Sequence, residues 1–393
     1  MSKIQFLNLG KQPITNNFLT EQNPINEFFY DLNIVYDENT KVVSLQSFVP
    51  PEKMFNETYA HRASMSITMR ESNKFLSENI IKRFNPKSVL EIGSNDGIFL
   101  KNFPNIKKVG IEPCKNLADI TNEINIETYD KFWNLDLSKK VNKTHGKFDL
   151  VYSANTISHI HNLNDALESV NLILDDDGVF ILEDPSLLEV IKNTSYDQFY
   201  DEHAYVFSVI ALNNLLKETE LEIFDIEKLT THGGSNRIFI KKKKNRKTIT
   251  DNVSKMIKEE LNMGMDKLET YQKFAQNVIN SKNETIKLFT ELKKVSAKII
   301  GYGATYKSST ILNYCGLDTK FIDYFTDTTE TKQGKFTPGT HIPILKPNDE
   351  ISLEVNYIFL GAWNFKKEIF NKEKTFIDRG GKFISHVPYP QII

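Results

Sequence analysis

The sequence predicts an α/β protein with two parallel, doubly wound sheets and a small β-rich module in front of them. Three observations predict this. Short continuous apolar runs recur, VLEIG, KVGIE, DLVYS, VFILE and later KIIGYG, as strands buried on both faces require. Segments of helix length separate them, so successive strands need crossover connections and lie parallel. Residues 1 to about 70 instead mix short alternating runs such as KVVSLQSFV with Pro and Asn turn signals.

In chain order, residues 1–70 read as the N-terminal module and 71–247 as the central domain. The helical stretch ESNKFLSENIIKRF leads past Pro86 to the strand SVLEIG, the turn SNDG and the segment IFLKNF. KKVGIEP, FDLVYSANTI and GVFILEDP supply the next strands, and FDIEKL and GGSNRIFIKKKK read as an antiparallel pair. KKKKNRK at 241–247 reads as a solvated strand end with outward charges, contact with phosphate being the alternative. Residues 248–296 form a helical connector, with Met256, Leu261, Met265, Leu268, Phe274, Val278 and Leu288 near helical spacing. From 297 to 393, AKIIGYGATYKSSTILNYCG, KFIDYFTD, NYIFLGAW and KFISH read as a second Rossmann-like domain.

Composition excludes several functions. With 49 basic and 51 acidic residues the net charge is −2, so no global field draws the chain onto nucleic acid or an anionic membrane. No run nears the roughly 18 apolar residues a membrane helix needs. Cys114 and Cys315 are too few for a disulfide framework or a cysteine-built metal site, which with the start MSKIQFLNLG points to a reducing cytoplasm.

The chemistry sits in four stretches. In VLEIGSNDGIFL, Gly93 and Gly97 follow a buried strand in a G-x-x-x-G spacing, unlike the dinucleotide G-x-G-x-x-G. Glu112 in GIEP lies about twenty residues on, where a carboxylate can accept from ribose hydroxyls, and Asn155 and Thr156 end a later strand. These residues resemble a class I S-adenosylmethionine-dependent methyltransferase, a flavodoxin-like or NAD-binding sheet being the alternative. The resemblance places Glu91, Gly93, Asn95, Gly97, Glu112, Asn155 and Thr156 near the cofactor.

FYDEHAYVFS at 199–208 crowds proton-handling groups together. If helical, it puts Tyr200 and His203 on one face and turns Glu202 about 100° away. THGGSNRIF offers His232 and Arg237 to a substrate phosphate, or forms a plain β-turn. In GYGATYKSSTILNYCG, Gly301 and Gly303 precede a helix whose N-terminal amides suit a pyrophosphate, with Lys307 adding charge; a second fold without ligand is the alternative.

EIGSNDGIFL, ISHIHNLNDAL, FYDEHAYVFS, THGGSNRIF and GYGATYKSSTILNYCG, in this order over nearly the whole chain, resemble the nucleotide-deoxysugar C-methyltransferase family. The resemblance implies methylation at C-3 of a nucleotide-diphosphate-linked 4-keto-deoxysugar, with S-adenosylmethionine becoming S-adenosylhomocysteine. The family's Tyr-His-Glu-His motif is matched by Tyr200, Asp201, Glu202 and His203. His203 is then the general base that forms an enolate, Tyr200 the donor to its oxygen, and Glu202 an orienting group. His159 and Tyr59 carry over as further catalytic positions, and Asn313 and Trp363 as neighbours of the nucleotide. A monomer or small homo-oligomer is expected.

Three departures stand out. Family members open with zinc-holding cysteine pairs, and this chain has none before Cys114, so no zinc is expected. Asp201 replaces the motif's first histidine, and Tyr306 to Ser309 replace smaller residues, so the base need not be thymine. Sugar O-methylation, and a sugar-nucleotide-binding relative without turnover, are the competing readings.

Overall fold

A computed structural model describes residues 3–393 except 23, 58, 60, 61, 66, 349 and 350. The N-terminal module holds β1 (Lys3–Pro13), β2 (Phe29–Asp37) and β3 (Val43–Leu45). The central part holds β4 (Ser88–Ile92), β5 (Lys107–Ile111), β6 (Glu127–Tyr129), β7 (Phe148–Ala154), β8 (Leu174–Pro185), β9 (Tyr205–Val206), β10 (Leu221–Leu229) and β11 (Ser235–Lys242). After helices Asp251–Asn262 and Leu268–Lys294 come β12 (Ile299–Tyr302), β13 (Phe325–Thr326), β14 (Ile344–Leu345), β15 (Tyr357–Leu360), β16 (Lys382–Ser385) and β17 (Gln391–Ile392).

Three sheets result. The central one has the order β10-β11-β8-β7-β4-β5-β6, with β11 antiparallel to both its neighbours and the remaining pairs parallel. The order reverses between β4 and β7, which opens a crevice at their carboxyl ends. The C-terminal sheet runs β14-β13-β12-β15-β16-β17 and reverses between β12 and β15 in the same way. The first sheet is antiparallel, β1-β2-β3, and takes β9 as its fourth strand. FYDEHAYVFS is therefore anchored at its far end to the N-terminal module.

That module is held by packing. Leu7, Leu9, Leu32, Ile34, Tyr36, Val43 and Leu45 are at most 3% exposed and belong to the same apolar cluster as the central sheet. Leu19 bridges to Phe336, and Glu27 accepts from Gly339 N at 2.6 Å and lies 2.8 Å from His341 Nε2, tying it to the C-terminal part. Among the described residues no group of three or more His, Cys, Asp or Glu is placed to hold a metal, and no helix is long and apolar enough to cross a membrane.

Two local expectations differ. FYDEHA is a turn closed by His203 N donating to Tyr200 O at 3.1 Å, because the chain must enter β9 directly. Lys241 and Lys242 are buried: Lys241 pairs with Glu222 at 2.8 Å and Lys242 with Asp176 at 3.1 Å. Only the later lysines of that run reach solvent, since the antiparallel pairing with β10 and β8 places the first two over partner carboxylates.

Glu260 secures the helix that follows β9. Its Oε1 and Oε2 accept from Val209 N and Ile210 N, each at 2.8 Å, filling two of the amides that a helix start leaves unpaired. Glu260 is fully buried, so Glu260→Ala should lower the unfolding free energy by about 2–4 kcal/mol. The urea midpoint reads this, and an unchanged midpoint means the amides find other partners.

Candidate functional site

One cavity of about 1110 Å³ reaches both crevices. From the central sheet it is lined by Glu91, Gly93, Asn95, Glu112, Asn155 and Thr156, and from the C-terminal sheet by Gly303, Lys307, Asp327 and Ala362. Tyr200, Glu202 and His203 line it as well, with His159, Tyr59 and His232. A single small ligand fills roughly 300–1,000 Å³. This space accommodates two that meet.

The central crevice fits an aminoacyl nucleoside. Gly93 has φ +78°, and a Cβ there would come within 2.0 Å of Thr156 Oγ1, so only glycine lets the turn lie this close to the end of β7. Glu112 accepts from Asn95 N and Cys114 N, both at 2.9 Å, which fixes its carboxylate at the end of β5. Burial raises its pKa. Glu91 is pushed well up by burial and by Glu112 and Asp96, and its Oε2 has no partner among the described residues. An ammonium group would satisfy that oxygen. These residues fit the methionyl ammonium and ribose of S-adenosylmethionine.

The turn after Tyr196–Gln198 supplies the reactive groups. Gln198 O lies 2.7 Å from His203 Nδ1 and Tyr200 Oη 2.7 Å from His203 Nε2. A carbonyl only accepts, so Nδ1 carries the proton, Nε2 presents its lone pair, and the Tyr200 hydroxyl donates to it. Burial holds His203 well below 6.5, and nearby His159, its ring centroid 5.2 Å away, adds to this. Tyr306 stacks on Tyr200 at 4.7 Å, walling the reactive pair. Glu202 accepts from Tyr59 Oη at 3.3 Å, and burial and then Asp201 raise its pKa. Asp201 accepts from Thr15 N at 3.1 Å and Thr15 Oγ1 at 2.6 Å. In place of the motif's histidine, this carboxylate ties the turn to the N-terminal module.

His232, which follows the crevice, meets both halves. Its Nε2 is 3.5 Å from Asn155 Nδ2, and its carbonyl accepts from Gln198 Nε2 at 2.6 Å and Lys307 Nζ at 3.1 Å. Burial lowers Lys307 to about 8.

Five expected residues do not line the cavity. Gly97 packs on Thr121, and Gly301 lies inside β12 against the Phe325 ring. Arg237 is held by Glu183 at 2.5 Å and Glu227 at 2.9 Å, so its charge is already matched. Asn313 donates to Ser309 O and Pro338 O. Trp363 Nε1 donates to Asp197 Oδ2 at 2.6 Å. Sequence reasoning missed Asp197, whose other neighbour His386, 189 positions further on, lies 3.3 Å away. It also missed Asp327, which follows a strand of only two residues.

Because burial keeps imidazole 203 neutral in the folded chain, the unfolded chain binds one more proton below pH 6.5, and this group makes stability fall as pH drops through that value. Nitrogen NMR of the folded protein should show His203 as the Nδ1–H tautomer, unchanged from pH 8 to about pH 5.5. A titration midpoint near 6.5 would contradict this environment.

Family models match in order along the chain: one described as a "putative zinc binding domain" at residues 1–55, a methyltransferase domain at 59–226, and a C-methyltransferase C-terminal domain at 230–388. Residues 1–55 contain neither cysteine nor histidine. C-methyltransferase NovU of Streptomyces niveus is 29% identical over 396 residues, covering 99% of this chain and 94% of that one. Among solved structures, a Pyrococcus horikoshii OT3 protein aligns with TM-score 0.37 and 17% identity over 50% of this chain and 100% of its own. An S-adenosylmethionine-dependent methyltransferase of Clostridium acetobutylicum aligns with TM-score 0.34 and 16% identity over 43% and 89%. At such scores these two likenesses carry no argument. The NovU alignment does, because it runs through all three matched segments and past the glycine turn, the YDEH turn and the second sheet alike. The chain is an S-adenosylmethionine-dependent methyltransferase, similar over nearly its whole length to a C-methyltransferase.

Proposed function

We propose that the enzyme methylates C-3 of a nucleotide-linked 4-keto-deoxysugar, with His203 as the base. The observation that carries this reading is the position of the Tyr200–His203 pair, on the wall of one cavity and between two crevices that each suit a nucleotide. S-adenosylmethionine, held at Glu91, Gly93, Asn95, Glu112 and Asn155, supplies an electrophilic methyl group.

The residues of the turn make the acceptor carbon nucleophilic. Tyr200 turns its hydroxyl from His203 to the C-4 carbonyl oxygen when sugar enters, which frees Nε2. His203 then removes the C-3 proton while Tyr200 donates to the enolate oxygen. A buried imidazole of lowered pKa is a weak base alone, but the enolate charge beside it stabilises the imidazolium. Glu202 keeps its proton toward neutral pH and donates to a sugar hydroxyl, oriented by Tyr59. Lys307 and the turn at Gly303 take the diphosphate, where the amides opening helix Tyr306–Cys315 reinforce the charge.

Proton exchange tests this without methyl transfer. In D₂O, enzyme and a 4-keto sugar nucleotide should exchange the C-3 hydrogen before any donor is added. His203→Asn should slow both exchange and C-methylation by about 10²–10⁴-fold. O-methyl product, or unaltered exchange in that variant, rejects the assignment.

Lys307 gives a second test. Its charge is present below about pH 8 and lost above it, so affinity for a nucleoside diphosphosugar should weaken from pH 7 to 9. Lys307→Gln should bind more weakly at pH 7 and show no such decline by calorimetry. A wild-type affinity flat across that range places the diphosphate elsewhere.

A further inference from the structure

The two doubly wound sheets repeat one apparatus, residue for residue in role. Each first strand ends in a glycine of positive φ, Gly93 at +78° and Gly303 at +81°. In each, an added Cβ would strike the residue that follows the strand across the crevice, Thr156 after β7 and Ala362 after β15. Each second strand ends in a buried carboxylate, Glu112 at 6% and Asp327 at 7% exposure. The hydrogen bonds repeat as well. One carboxylate oxygen accepts from the amide two residues on, Cys114 N at 2.9 Å or Thr329 N at 2.8 Å. The other accepts from the turn after the first strand, Asn95 N or Ala304 N, both at 2.9 Å.

Such a carboxylate, beyond a glycine turn at a switch point, holds a ribose hydroxyl in dinucleotide-binding sheets. A carboxylate has about four lone-pair sites, so two amides leave room for more donors. Lys332 Nζ, 3.7 Å from Asp327 Oδ2, donates to Ala304 O at 2.8 Å and so is only partly engaged with the carboxylate. Thr326, Thr328 and Thr329 line the same part of the cavity.

We infer that the C-terminal sheet carries a second nucleoside subsite, in which Asp327 accepts the furanose hydroxyls of the acceptor nucleotide. This rests on the reading of the substrate as a nucleotide-linked sugar. A vicinal diol presents two donors to the carboxylate and a 2′-deoxyribose only one, so the site favours a ribonucleoside diphosphate over its deoxy form.

Calorimetry on the full chain tests this, with the central site first saturated by S-adenosylhomocysteine. UDP, CDP, GDP and ADP are titrated, and the tightest is compared with its 2′-deoxy and 2′,3′-dideoxy forms. Wild type should lose about tenfold in affinity for the dideoxy form, and Asp327→Asn should lose about tenfold for the ribonucleotide while binding the dideoxy form as wild type does. The unchanged dideoxy affinity also reports that the variant's pocket is intact. An Asp327→Asn effect that is absent, or equal for ribo and dideoxy ligands, overturns the assignment and leaves the nucleotide reading standing. If S-adenosylhomocysteine binds but no nucleoside diphosphate does, the nucleotide reading itself falls, and this inference with it. Tight NAD binding without nucleoside diphosphate binding likewise overturns it.

Discussion

The carboxylate of Asp197 is the point on which the reactive turn depends. It is fully buried between the central and C-terminal sheets, 2.6 Å from Trp363 Nε1 and 3.3 Å from His386 Nε2. Burial alone would raise its pKa, but His386, Lys307 and Trp363 outweigh that and hold it low, so a negative charge persists there. An isolated buried charge is costly, and these partners make it tolerable only in one arrangement of the two sheets. The next residue transmits this to the chemistry: Gln198 uses its side chain on His232 O and its carbonyl on His203 Nδ1. Loss of the Asp197 contact would therefore release the imidazole from its tautomer as well as loosen the interface.

A neutral histidine is the sensible product of that burial. A permanently charged imidazolium could not take a proton, and a solvated imidazole would compete with water for the acceptor. Here the proton is held on Nδ1 by a backbone carbonyl, a partner that cannot titrate, and the hydroxyl of Tyr200 occupies the free nitrogen until a better acceptor arrives. The tyrosine pKa is itself pushed well up by burial and by Tyr306, which keeps it a donor throughout. The hydroxyl thus stays a donor and Nε2 an acceptor, the roles the proposed reaction asks of them.

What the sequence made legible was local. Strand, glycine turn and helix follow one another within twenty residues at SVLEIGSNDG and at KIIGYGATYK, and short-range sterics suffice to write both. Contacts set by long-range packing were not legible. Thr15 reaches Asp201 across 186 positions, and Trp363 reaches Asp197 across 166. Nothing near Arg237 announces that Glu183, on the adjacent strand, will neutralise it. The face that FYDEHA would present if helical does not arise for a related reason: propensity is weak, and pairing of β9 with β3 overrides it. Asp327 was hidden because β13 is only two residues long, too short to mark a strand end by pattern.

A methyl donor and the proposed nucleotide-linked acceptor must meet in a common space, which one doubly wound sheet does not provide alone. Each such sheet binds its nucleotide outside the carboxyl ends of its strands, at its own switch point. Two nucleotide-borne groups can then react only if the two carboxyl edges face a common space, with the activating residues between them. The cavity has that form: Glu112 lies on one side, Asp327 on the other, and the Tyr200–His203 pair on the wall joining them. Neither sheet contributes that pair. It comes from a turn pinned by Thr15 of the N-terminal module, by Trp363 of the C-terminal sheet, and by β9 at its exit. The N-terminal module thus has a task that a metal could support but does not define, which is to hold Asp201 and with it the turn. Packing of Leu7, Leu9, Leu32 and Ile34 into the shared core meets that task, so the thiolate ligands of a zinc site can be lost without loss of the reactive geometry.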